Sequence, residues 1–151
     1  MKSIQHSTEF DIEQSVEEVF PLFSPEGEKH WVPDWDYENI TGGTTELCED
    51  YIFLTQHHDH AAGKAIWIVK TYEPEAHRIQ FYKVEPEDKV GVISVQCTPL
   101  GSSATRVNVS YAYTALSRAG EDFLDNFTEA AYRAYIGEWK ILLERYFQQR
   151  K

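Results

Sequence analysis

The sequence has no apolar run approaching the ~20 residues that a membrane-spanning helix needs, so no transmembrane segment is expected. Its opening residues, MKSIQHSTEF, lack the apolar core of a secretory signal. There is no cluster of Lys or Arg, which excludes nucleic acid and anionic membrane as main partners, because both need a basic surface. Only two cysteines occur, Cys48 and Cys97, in no metal or redox spacing. Two reduced thiols in a cytoplasmic protein are the simplest expectation. No G-x-S-x-G, P-loop, dinucleotide fingerprint or H-E-x-x-H is present, so no motif names a reaction and no cofactor is expected. Gly42-Gly43 reads as a turn. No segment is of low complexity and none repeats.

What is present is an ordinary globular mixture rich in rings. The 151 residues fit one domain. Phe, Trp and Tyr make up 14%, so aromatic rings must build much of the interior. The net charge of −11 is uneven: residues 1–50 hold 13 acidic side chains and only two basic ones, Lys2 and Lys29. That excess serves either solubility or the docking of a basic partner.

The hydrophobic pattern sets an order of elements. Residues 3–13 read as a strand with Ile4, Phe10 and Ile12 as apolar positions. Ser15-Val16-Glu17-Glu18 has the form of a capping box that opens a helix, and Pro21 keeps that helix short or kinked. Ser24-Pro25-Glu26 opens a second short helix, ended by Pro33. Six strands are then expected at 37–41, 50–57, 64–72, 77–84, 90–98 and 105–114. Their connections are too short for crossover helices, so neighbours must be antiparallel. In the last strand Val107, Val109, Tyr111 and Tyr113 alternate with Arg106, Asn108, Ser110 and Ala112, so one face is buried. In 64–72, Ala65, Trp67 and Val69 oppose Lys64, Ile66, Ile68 and Lys70. The outward Ile66 and Ile68 leave a homodimer contact open beside a monomer. A final helix over 118–148, capped near Ser117, would be roughly 45 Å long. Its broad apolar face (Phe123, Phe127, Ala131, Tyr135, Trp139, Leu142, Tyr146) needs a large partner, and only the sheet is available.

Strand, two short helices, six antiparallel strands and one long helix resemble the helix-grip fold of the START-like or SRPBCC superfamily. Phe10 to Phe23, with Ser15-Val16-Glu17-Glu18-Val19-Phe20, is similar to that family's opening. Trp31-Val32-Pro33-Asp34-Trp35 resembles the W-V-P-x-W of a polyketide cyclase/dehydratase-like bacterial branch. Tyr111-Ala112-Tyr113-Thr114-Ala115-Leu116-Ser117, followed by Gly120, resembles its final strand and helix start. The resemblance spans essentially the whole chain. It implies an α+β domain over 1–151, with a curved sheet of about seven strands wrapped round the C-terminal helix.

It also implies a cavity between sheet and helix. Alternation assigns Phe53, Thr55, His57, Trp67, Val69, Phe81, Val109, Tyr111 and Tyr113 to its sheet side. The helix would add Phe127, Ala130, Ala131, Ala134 and Gly137, and Trp35 would stand at the mouth. The stripe Ala130, Ala134, Gly137 reads either as room for a ligand or as close packing of helix on sheet. The aromatic lining reads either as a ligand site or as plain core. Gln56-His57-His58-Asp59-His60 invites a metal reading, but strand parity divides its ligands between two faces, so no metal is expected. The leading expectation is a binder of a small hydrophobic or aromatic molecule, with His57 and a tyrosine supplying polar contacts. The alternatives are a cyclase/dehydratase-type enzyme and a co-chaperone-like interaction module. The enzyme would draw an acid–base pair from His30, His57, Tyr82, Tyr111, Tyr113 and Tyr135.

Overall fold

A computed structural model of the chain describes residues 2–56 and 64–150. The chain order is β1 (Ser3–Ile12), α1 (Val16–Val19), α2 (Pro25–Glu28), β2 (Glu38–Asn39), β3 (Ile52–Gln56), β4 (Lys64–Glu73), β5 (Arg78–Glu85), β6 (Lys89–Pro99), β7 (Thr105–Ala115), α3 (Arg118–Asn126) and α4 (Glu129–Gln149). The strands form one antiparallel sheet in the order β1-β7-β6-β5-β4-β3-β2. The expected α+β arrangement is therefore formed: seven strands, two short helices after the first, and a long helix at the end.

Local chemistry explains the short helices. The Ser24 hydroxyl accepts the Gly27 N–H at 2.9 Å and Pro25 takes the first position of α2. Pro21 ends regular helix, and Phe20–Phe23 continue α1 as a tighter 3₁₀ turn. The capping box at Ser15 does not form: its side chain caps nothing, and the one-turn α1 closes on the Ser15 carbonyl instead, through Glu18 and Val19 N–H.

The buried side of the sheet follows the alternation. Val107, Val109, Tyr111 and Tyr113 are all buried on β7, beside Ile93 and Val95 of β6 and Ile79 and Phe81 of β5. Cys97 ends that row, and burial pushes its thiol up to about 12; Cys48 is exposed. On the outer side Ile66 and Ile68 are half-buried, in register with Val84 and Tyr82.

The C-terminal helix departs from expectation. It breaks at Phe127, and Thr128 caps a new helix by accepting the Ala131 N–H at 3.2 Å. A nitrogen of the His6 ring lies 2.8 Å from the freed Phe127 carbonyl. α4 alone runs about 31 Å over its 21 residues. It grips the sheet through Tyr132, Ile136, Leu143 and Phe147, and the Tyr132 hydroxyl donates to the Val109 carbonyl at 2.5 Å. No helix among the described residues is long and apolar enough to cross a membrane.

Candidate functional site

The sheet and α4 do not close on each other completely. Between them, and under the segment 31–35, lies a cavity of about 240 Å³. Thr55, Trp67, Phe81, Lys83, Ile93, Val95 and Tyr111 come from the sheet, Tyr135 and Trp139 from α4, and Phe23, Glu28 and the segment Trp31 to Trp35 from the opposite side.

Aromatic packing sets its walls. Trp67 lies flat on Phe53, with ring centres 5.5 Å apart and 10° between planes, and it meets Phe81 and Trp35 edge-on at 5.7 and 6.3 Å. Trp31 meets Trp139 edge-on at 5.6 Å. Three indole N–H groups are spent inside the protein. Trp31 donates to the Leu22 carbonyl at 2.7 Å, Trp35 to the Pro25 carbonyl at 2.9 Å, and Trp67 to the Thr55 hydroxyl at 2.9 Å. These bonds hold the mouth tryptophans against the two short helices. Asp34 between them takes the left-handed conformation, φ 57°, which aspartate tolerates better than most residues.

Glu28, Lys83, Tyr111 and Tyr135 bring polar groups to this ring-lined space, beside Thr55 and Asp34. Burial pushes the Glu28 carboxyl well above the usual carboxylate range, against the pull of the Lys83 ammonium. Burial likewise pushes the Tyr111 hydroxyl far up, with Tyr135, Tyr113 and Glu28 adding to it, so Tyr111 remains a neutral donor. Tyr135 meets Tyr111 edge-on at 5.9 Å and is 47% exposed, so it forms part of the cavity's wall toward solvent. Lys83 lies over the Trp67 ring at 5.2 Å, and its ammonium is 3.6 Å from the Glu85 carboxylate.

Behind Lys83 lies a second ionic cluster. Lys89 is fully buried, 2.8 Å from Glu85 and 2.7 Å from Asp88, with its ammonium 3.8 Å above the Phe123 ring. Tyr113 covers the same ammonium at 5.4 Å.

The expected site residues divide accordingly. Trp35, Trp67, Phe81 and Tyr111 line the cavity, as does Thr55. Phe53 is fully buried behind Trp67 and supports the wall without forming it. Tyr113 serves the Lys89 cluster, and Phe127 packs at the α3–α4 break against Phe123 and Tyr113. Val69 and Val109 are plain core. Ala134 is a correction: with Ala130, Ala131 and Gly137 it faces solvent, because Tyr132 and Ile136 turn the other side of α4 to the sheet. Of the acid–base stock, Tyr82 is exposed on the outer side of the sheet and His30 is exposed beside Tyr146. His57, with His58, Asp59 and His60, lies outside the described residues. Among the described residues no group of three or more His, Cys, Asp or Glu is placed to hold a metal.

The sequence reading missed Glu28, Lys83, Trp31 and Trp139. Parity carried one step beyond Ile79 and Phe81 reaches Lys83, and Trp139 already stood on the apolar face assigned to the helix. A Cβ added at Gly137 would meet nothing within 4 Å. Gly137→Ala is therefore expected to stabilise the protein by about 1 kcal/mol, raising the melting temperature by about 2–4 °C, with ligand binding unchanged. A drop in thermal melts would mean that the glycine is needed after all.

No protein-family model matches the sequence, and no curated protein matches it. Solved structures do match its shape. A START superfamily protein from Mycobacterium smegmatis superposes with a TM-score of 0.70 at 13% identity, over 97% of this chain and 99% of the other. The chain has the helix-grip fold of START-like proteins. Norcoclaurine synthase from Thalictrum flavum, in complex with dopamine and hydroxybenzaldehyde, shares that fold with a TM-score of 0.68 at 12% identity, over 99% of this chain and 89% of the other. The di-domain aromatase/cyclase BexL matches with 0.67 at 15% identity, over 95% of this chain and 47% of BexL. At these identities the helix-grip fold is what is shared, and the site has to be read from its own residues.

Proposed function

We propose that this helix-grip cavity binds a small, mainly aromatic or hydrophobic molecule of one or two rings in a cytoplasmic protein. The observation that carries this reading is unfilled volume. About 240 Å³ remains open inside walls of packed rings, whereas a plain core leaves few voids larger than a water molecule. An apolar cavity near 150 Å³ already accepts benzene. The same open volume speaks against an interaction module whose interior is filled by its own side chains. Apolar walls with a few convergent polar groups are the usual form of a small-molecule site, and Glu28, Lys83, Tyr111 and Thr55 supply them. A second reading, an enzyme of the cyclase or dehydratase kind, is favoured by Glu28. A carboxyl that burial holds above its usual range beside such a cavity is better suited to donate a proton than an ordinary surface carboxylate. Tyr111, pushed upward, is a poor acid and serves better as a hydrogen-bond donor.

Native mass spectrometry of freshly purified protein, followed by denaturation, is expected to release a small aromatic molecule. A thermal-shift screen of aromatic compounds is expected to give rises of roughly 5–10 °C for a ligand at 100 times its Kd. Trp67→Ala should remove those rises. A protein that is free of bound compounds and unmoved by the whole screen would refute the binding reading. Turnover that disappears in Glu28→Gln while binding persists would establish the enzyme.

A further inference from the structure

The sheet ends on β1 at one side and on β2 at the other. β2 is two residues long, which blunts its edge. β1 runs for ten residues in unbroken register with β7 and holds no proline, glycine or lysine. The Ala115 N–H bonds the Lys2 carbonyl at 2.8 Å, so the even-numbered residues of β1 turn their backbone groups to β7. Ser3, Gln5, Ser7, Glu9 and Asp11 turn theirs to the open edge. Lys140 of α4 covers the Asp11 carbonyl at 2.7 Å. Among the described residues no hydrogen bond reaches the outward backbone groups of Gln5, Ser7 or Glu9. The two acids on this strand's outer face do not guard the edge by charge, because Arg106 of β7 lies 2.9 Å from Asp11 and 4.0 Å from Glu9.

α4 runs beside β1 in the same direction. The His6 ring meets the Phe127 carbonyl just before the helix, and Lys140 meets Asp11 further along it. Between these two ties Ala130 stands level with Ser7. Turning from Ile136 on the sheet through Lys140, the helix surface reaches Ala130 and Ile141, both exposed. Tyr135 and Trp139 lie on the other side, toward the cavity. A small side chain level with Ser7 leaves room for a second helix to come close.

We infer that the partner of this edge is a second copy of the chain, with β1 pairing antiparallel to β1 about a two-fold axis at Ser7 and α4 beside α4 near Ala130. The strand is complementary to itself in that register. Gln5 of each copy faces Glu9 of the other, Ser3 faces Asp11, and the half-buried Ile4 and Phe10 cover one another. No like charges meet, whereas an axis shifted to Glu9 would set that acid against itself. The size also fits. The strand edge is about 34 Å long; with the helix layer it is about 20 Å deep, on the order of 700 Å² beside the roughly 800 Å² per partner of a standard interface. The segment Trp31 to Trp35 packs on Phe53 and Trp67 of β3 and β4, far from β1 in the sheet, so pairing leaves the cavity mouth open.

Sedimentation velocity and light scattering at micromolar concentration are expected to give a mass near twice 17.5 kDa. Ser7→Pro removes an N–H that β7 does not use, so the fold should survive while the mass falls to that of one chain. Ala130→Glu places like charges across the axis, yet an acid in the first turn of α4 suits the helix itself. It should also yield a single chain, with circular dichroism unchanged, so the test stands even where the proline variant misfolds. Tyr82→Lys, on the outer face of the sheet, should leave the dimer intact. A single-chain mass for the native protein would overturn the inference. So would a dimer that survives Ala130→Glu, or one that Tyr82→Lys dissolves.

Discussion

Lys89→Met is expected to destabilise the protein by about 3–5 kcal/mol, the usual cost of breaking a buried ion pair from one side. In a chain of this size that is roughly 6–20 °C in melting temperature. Methionine fills the space of the lysine stem but leaves Glu85 and Asp88, both buried, without the ammonium that each approaches within 3 Å. It also removes the cation from above the Phe123 ring, which helps dock α3 on the sheet. Burial by itself lowers the pKa of Lys89, but bonds to Asp88 and Glu85 outweigh it and hold the ammonium above the usual lysine value. The sign follows from that direction. Lys89 is more readily protonated folded than unfolded, so its contribution is complete below about pH 10 and fades as pH rises through the raised folded value. Thermal melts of the two proteins should therefore differ most at neutral pH and converge at strongly alkaline pH. A loss under 1 kcal/mol at neutral pH would mean that water or Lys83 compensates the two carboxylates.

Gly27→Ala is expected to be at least as damaging, by about 3 kcal/mol or more, because the new methyl group has nowhere to go. Its Cβ would lie 2.1 Å from the Pro21 carbonyl oxygen and 2.6 Å from the Leu22 Cα. Both are backbone atoms of the 3₁₀ turn on which α2 rests, so relief requires α2 to lift away. Glu28 is the next residue in the chain, and Trp31 hydrogen-bonds to the carbonyl of Leu22 in that same turn. Displacement should therefore open one wall of the cavity and weaken ligand binding by about tenfold or more. Gly137→Ala is the internal control: the same substitution, made where nothing stands within 4 Å, should stabilise. Equal melting temperatures for Gly27→Ala and the native protein would show that the short helices tolerate rearrangement and do not hold the site rigidly.

Particular residues mark how far the sequence could be read. The alternation of Val107, Val109, Tyr111 and Tyr113 was legible because β7 has one buried and one solvated face, and side-chain period in a strand is a local property. The strand order along the chain was legible for the same reason, together with the short turns between strands. On β5 the same parity runs through Ile79, Phe81, Lys83 and Glu85, but charge hid the last two. Lys83 points inward beside Glu85 of its own strand, and Glu85 in turn meets Lys89 from β6, a partner that β5 alone does not reveal. The break in the C-terminal helix was hidden too. Helical periodicity runs on through Phe127, while the His6 contact that meets its carbonyl comes from 121 residues away.

By itself, then, the sequence determined the elements, their antiparallel neighbours and a ring-rich interior, since periodicity and turn chemistry act over a few residues. Tertiary structure alone decided which side of α4 meets the sheet, turning Ala134 and Gly137 to solvent and Tyr135 and Trp139 toward the cavity. It alone brought Glu28 from a four-residue helix beside Lys83, Tyr111 and four tryptophans. The physical reason is that a cavity and the polar groups that meet in it belong to no segment: they are the space left over, and what lines it, when distant segments pack.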